Sequence, residues 1–140
     1  MARSENMELE EKYQYWMNHA QYDLDTADSM CQTGRWLYVI FMCQQAIEKS
    51  VKSIYGLHLG YESIPRTHNI RRLINDFADK LPHKIAEETY TLFDYLTRYY
   101  LNNRYPDYID DLVSQITEND AITALEQTKE VFAWLQTMKP

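Results

Sequence analysis

Apolar positions recur at intervals of three and four through most of this chain, the repeat of one face of an α-helix. Tyr13, Trp16, Ala20, Leu24, Ala27 and Cys31 form the first such stripe. It predicts a helix from about Met7 to about Gln32, stopped at Gly34. Asp23 lies one position beside the stripe, and a carboxylate turned inward there needs a partner. A second helix is predicted from about Trp36 to about Tyr55. Its opening, Trp36 to Cys43, is almost continuously apolar, which suits a central helix buried on more than one side. Leu37, Ile40, Phe41, Gln44, Ile47, Glu48, Val51 and Tyr55 share one face, so Gln44 and Glu48 set a polar layer within it.

Gly56, Gly60 and Pro65 bracket a loop. Thr67 is placed to cap a short third helix with Ile70, Leu73, Ile74 and Phe77 as its buried face. Pro82 suits the first turn of a fourth helix, which continues through Ile85, Tyr90, Phe93, Leu96 and Tyr100. A loop is expected from about Asn102 to Thr117. A last helix is expected from about Glu118 to Met138, facing inward with Ile122, Leu125, Thr128, Val131, Phe132 and Leu135. These patterns predict an all-α fold over residues 1–140. It is an up-and-down bundle of four long helices plus one short helix, in a single domain.

Composition narrows the function. Three glycines and four prolines among 140 residues favour long helices over a turn-rich β fold. No apolar run reaches the roughly 18 residues of a membrane span, and the first residues hold no hydrophobic signal core. Cys31 and Cys43 have no metal-type spacing and fit a reduced, cytoplasmic setting. His19, His58, His68 and His83 lack a paired spacing with acidic ligands, so neither a metal nor another cofactor is implied. The net charge of −7 argues against a general DNA-coating protein. Residues 66–104 alone are net basic, at +2, and any anion-binding surface should draw on them.

The chemistry concentrates at Arg98 to Tyr108, which holds four of the twelve tyrosines and two arginines. Arg104 and Tyr105 fall where the fourth helix gives way to a loop ahead of Pro106. A guanidinium offers a flat fork of donors to phosphate, and an adjacent ring can stack on a base. The plainer reading of the same residues is a helix end whose arginine pairs with an acidic neighbour such as Asp107. His68, expected at the start of the third helix, would meet an anion there. Lys49 and Lys52 are secondary candidates, although Glu48 and Lys52 also have the spacing of a simple helix-edge ion pair.

The ordered set of residues resembles the HEPN family, nucleotide-binding helical domains of higher eukaryotes and prokaryotes. The resemblance rests on Trp16, Ala20, Asp23 and Ala27, then on Phe41, Gln44-Gln45-Ala46, Glu48-Lys49 and Lys52. Thr67-His68 with Leu73, and Arg104-Tyr105-Pro106, complete it. It implies a bundle of four or five helices, commonly a homodimer. It also implies one of three functions: a nucleotide- or RNA-binding module, a toxin-type ribonuclease, or the partner of a minimal nucleotidyltransferase in a toxin–antitoxin pair. In the last case Tyr105 or Tyr108 would accept a nucleotide. The ribonucleases carry Arg-x(4–6)-His. No arginine here has a histidine at that spacing, and none follows His83. The expectation is therefore a non-catalytic or weakly catalytic binding module, with no catalytic residue assigned, that uses Arg104, Tyr105, His68, Lys49 and Lys52.

Overall fold

A computed structural model describes residues 2–102 and 106–140, with side chains for residues 8–101 and 109–140. Among the described residues six α-helices follow one another: α1 (Ala2–Gln32), α2 (Trp36–Leu59), α3 (Ile70–Asn75), α4 (Glu87–Asn102), α5 (Pro106–Gln115) and α6 (Glu118–Gln136). Single 3-10 turns lie at Tyr61–Ser63 and Ala78–Lys80, and the described residues contain no strand. The all-α expectation holds.

Helix α2 is the axis and touches all five other helices. Its apolar opening explains why: Leu37, Val39, Ile40, Cys43, Ala46, Ile47, Val51 and Ile54 are buried and point to several sides. The α1–α2 hairpin turns on Gly34, whose positive φ of 76° suits a residue without a side chain. Small residues let the two helices approach closely. Ala20 and Ala27 of α1 and Ala46, Ser50 and Ser53 of α2 are fully buried. Ser53 Oγ donates to the Tyr13 carbonyl across this contact at 2.8 Å. The α1 stripe also takes in Met17, while Trp16 is only half-buried. Phe41 is likewise half-buried, which leaves its ring available at the bundle edge.

Several boundaries differ from the sequence pattern. Helix α2 runs four residues past Tyr55 to Leu59, so Gly56, expected at the edge of a loop, lies inside the helix, and the chain turns at Gly60. The cap of α3 is Asn69, whose side chain accepts from the Arg72 N–H, and Thr67 Oγ1 instead accepts from the Asn69 N–H. Helix α4 begins at Glu87 rather than Pro82. Leu81 is extended (φ −77°, ψ 148°), the conformation favoured before a proline, and Ile85 alone anchors the intervening strap in the core. The expected Asn102–Thr117 loop contains α5, which opens on Pro106 and buries Leu112; Ile116, just past its end, is buried four residues on. In α6, capped by a reciprocal Thr117–Asp120 pair, Ala121 takes the inward place expected of Ile122, which is exposed. The inward row 121, 124, 125, 128, 132 and 135 leaves residue 122 on the opposite flank.

Two results test this packing. A Cβ at Gly56 would collide with the Tyr61 ring, whose hydroxyl donates to the Ser53 carbonyl at 2.9 Å. Gly56→Ala is therefore expected to destabilise the fold by about 1–3 kcal/mol despite alanine's better helix propensity. Chemical denaturation monitored by circular dichroism checks it. The second result concerns His58, which stacks on Phe77 at 5.3 Å between ring centroids. Its Nε2 is buried without a partner among the described residues. Burial, and then the Lys80 charge, push its pKa below the usual imidazole value. The unfolded chain therefore binds this proton more readily. The stability is present above the ordinary pKa of about 6.5 and is lost as pH falls toward the lower folded value. The melting temperature should drop as pH falls below about 6.5, and His58→Phe should flatten part of that slope.

Candidate functional site

Positions 41, 44, 48 and 52 lie on one edge of α2, and three other segments converge on them. Glu48 is the hub. Its carboxylate is almost wholly buried, with the side chain 5% exposed. Oε1 accepts from Gln44 Nε2 at 2.9 Å and meets His68 Nδ1 at 2.9 Å. Oε2 accepts from Lys52 Nζ at 2.9 Å. Gln44 Nε2 also donates to the His68 backbone carbonyl at 3.0 Å, so one buried amide holds both the residue and its ring's partner. Such a charge is tolerable inside only because each oxygen is matched by donors.

On the neighbouring side of α2, at the residue after Glu48, Lys49 Nζ lies 2.6 Å from Asp23 Oδ2 of α1. This contact is an ion pair outside hydrogen-bond angles. Asp23 is thus turned inward and matched, as its position beside the first stripe required. The two lysines expected to meet an anion are both engaged by carboxylates, and what they present is a neutralised layer.

Aromatic rings border this layer. The His68 ring lies 4.8 Å from Tyr100, on the last turn of α4, with the planes tilted by 57°. Tyr100 lies 5.0 Å from Phe41, and Phe41 lies 6.4 Å from Tyr38, whose ring is substantially exposed. The rings form a path from His68 to solvent at the start of α2.

His68 does not open a helix. It precedes Asn69, and the six-residue α3 already has its Arg72 N–H taken by the cap. Its side chain is 39% exposed. Arg71 is also engaged. It makes a two-bonded fork with Asp94 at 3.0 and 2.9 Å and stacks over Tyr90 at 4.3 Å, tying α3 to α4. The bond to Asp94 raises its pKa further. Arg66, Arg72 and Arg98 are exposed. Arg104 and Tyr105 lie outside the described residues, as does the Tyr108 side chain.

The sequence pattern singled out His68, Asp23 and Lys49 separately and paired Glu48 with Lys52, a pair the structure contains. It did not find that Glu48 joins His68 to Lys52. The polar interruption of an apolar face at Gln44 and Glu48 was the available signal. No three His, Cys, Asp or Glu side chains among the described residues cluster to hold a metal. Burial pushes the Cys43 thiol up to about 12, which leaves it inert. A separate cavity of about 510 Å³ opens between α4 and α6, lined by Glu87, Glu88, Tyr95, Asp120 and Gln127 among others. Its carboxylates make it unsuited to a phosphate.

No helix among the described residues is long and apolar enough to cross a membrane. Two solved structures share the architecture. The crystal structure of TT1696 from Thermus thermophilus is 24% identical, with a TM-score of 0.76. That of ST0689, described as an archaeal HEPN homologue, is 24% identical with a TM-score of 0.71. Each alignment covers 91% of this chain and 98% of the other. No curated protein matches the chain. The model of the HEPN domain matches residues 13–138, the span that carries α2, its buried Glu48 and every segment converging on it, and the chain belongs to the HEPN family.

Proposed function

We propose that this chain is a nucleotide- or RNA-binding module, acting as a homodimer and without catalytic residues of its own. The observation that supports the reading is the exposed face of His68. The imidazole is held from below by a buried carboxylate and lies against Tyr100, which in turn meets the half-buried Phe41. A polar group and aromatic rings at one edge offer both hydrogen bonding and stacking to a nucleotide. Arg104 and Tyr105 follow Tyr100 by four and five residues and would add a phosphate-binding fork and a further ring. Lys49 and Lys52 contribute by holding Asp23 and Glu48, so the site carries no surplus negative charge.

Exposed Tyr15 and Tyr22 on α1 supply aromatic surface for a second copy. Light scattering across a wide concentration range should show the dimer, and a monomer throughout would remove that part of the reading. The binding test is a titration with a nucleotide panel and a short RNA. Losing one charge-assisted hydrogen bond costs about 1.5–3 kcal/mol, or roughly ten- to a hundredfold in affinity. Arg104→Ala is expected to weaken binding by about tenfold or more with helical content intact. Absence of binding at millimolar ligand, with the variant merely less stable, would make Arg104 a structural residue.

A further inference from the structure

The hydrogen-bond arrangement around Glu48 fixes where the His68 proton sits. Lys52 can only donate, and its Nζ at 2.9 Å keeps Glu48 an acceptor. Gln44 Nε2 spends its two hydrogens on Glu48 Oε1 and on the His68 carbonyl, while its own Oε1 is buried without a partner among the described residues. The opposite amide orientation would set that oxygen against two other acceptors. Glu48 Oε1 therefore has no hydrogen to offer the imidazole, and the 2.9 Å contact with Nδ1 requires the hydrogen on Nδ1. In the neutral ring, Nε2 is then a bare acceptor, and no described residue bonds it.

We propose that Glu48 is a positioning residue which holds His68 with Nε2 as an acceptor, and that this Nε2 takes a hydrogen bond from a ribose hydroxyl, giving the site a preference for RNA over DNA. A fully ionised phosphate oxygen has no hydrogen for such a nitrogen. The 2′-hydroxyl has one, and it is the group that separates the two nucleic acids. The assignment rests on the binding function proposed above and specifies its ligand. It also gives His68 a different part from the anion contact that its position in the sequence suggested.

The substitution Glu48→Gln preserves shape and reverses the pattern at His68, at the expense of the bond from Gln44 Nε2, which then faces a second N–H₂. Lys52 still needs an oxygen, so the new carboxamide turns its oxygen toward Lys52 and its N–H₂ toward His68. The ring must then accept at Nδ1 and carry its hydrogen on Nε2. Long-range proton–nitrogen NMR reads the tautomer without any ligand. Titration at about pH 8 with oligouridylate and with its 2′-deoxy counterpart reads the preference. Wild type should show hydrogen on Nδ1 and bind the RNA about three- to tenfold more tightly, the worth of one neutral hydrogen bond. Glu48→Gln should show hydrogen on Nε2 and bring the ratio near one. His68→Ala, at a half-exposed position, should also bring it near one, and it decides the matter if the glutamine variant fails to fold. Hydrogen on Nε2 in wild type, equal binding of RNA and DNA, or a preference that survives His68→Ala would overturn the assignment. Equal binding leaves the binding function standing, whereas binding of neither removes both.

Discussion

Glu48→Ala is expected to cost about 3–5 kcal/mol of folding stability, the usual consequence of removing one partner from a buried ion pair. Lys52, only 12% exposed, loses its counter-charge. Gln44, fully buried, loses one of two acceptors, and the His68 ring loses its anchor. Thermal and urea melts followed by circular dichroism measure the loss. The double variant Glu48→Leu/Lys52→Met is expected to recover much of it, because it leaves neither a buried charge nor a void. A Glu48→Ala protein as stable as wild type would mean that water reaches this layer freely and that Glu48 is not its hub.

Phe77→Ala is the second large effect. The ring is fully buried, meets Tyr55 edge-on at 5.6 Å and lies stacked against His58. Truncating such a side chain costs about 3–5 kcal/mol, and the melting temperature should fall by roughly 10 °C or more. The loss has a local address. Phe77 and the bond from Tyr55 Oη to Asp76, at 2.7 Å, fasten the far end of α3 to α2. Burial first, and then Asp76, push the Tyr55 hydroxyl up to about 12, so it stays a donor. Hydrogen exchange should therefore quicken in α3 more than in the α1–α2 hairpin. Uniform quickening would show that the segment bearing His68 has no separate anchorage.

Much of this was legible in the sequence, and the reasons differ by residue. The α2 face could be read because burial on several sides leaves a dense apolar run. Asp23 could be flagged because a carboxylate beside a core stripe demands a counter-charge, and Lys49 supplies it. Glu48 and Lys52 had a helix-pair spacing, and they pair. The link from Glu48 to His68 had no such signal. It spans 20 residues and depends on how the chain from Gly60 to Asn69 is folded, which no periodicity encodes. Helix α5 was hidden because Asp107, Asp110 and Asp111 look like a solvated loop, although exposed carboxylates such as Asp110 and Asp111 are equally at home on the outer side of a helix. Ile122 misled because a helix of nineteen residues presents apolar groups on more than one flank, and only packing selects among them.

The short turn at Gly34 has a consequence for the order in which the molecule assembles. Contacts between α1 and α2 close a connection of only a few residues, so their entropic cost is small and they are the natural first step. The Asp23–Lys49 pair lies wholly inside that hairpin. His68 and Tyr100 come from chain that must return over longer loops, and they reach Glu48 later. The half of the site that is built first is the half that only neutralises charge, and the half that would meet a ligand is added last and is the cheapest to open.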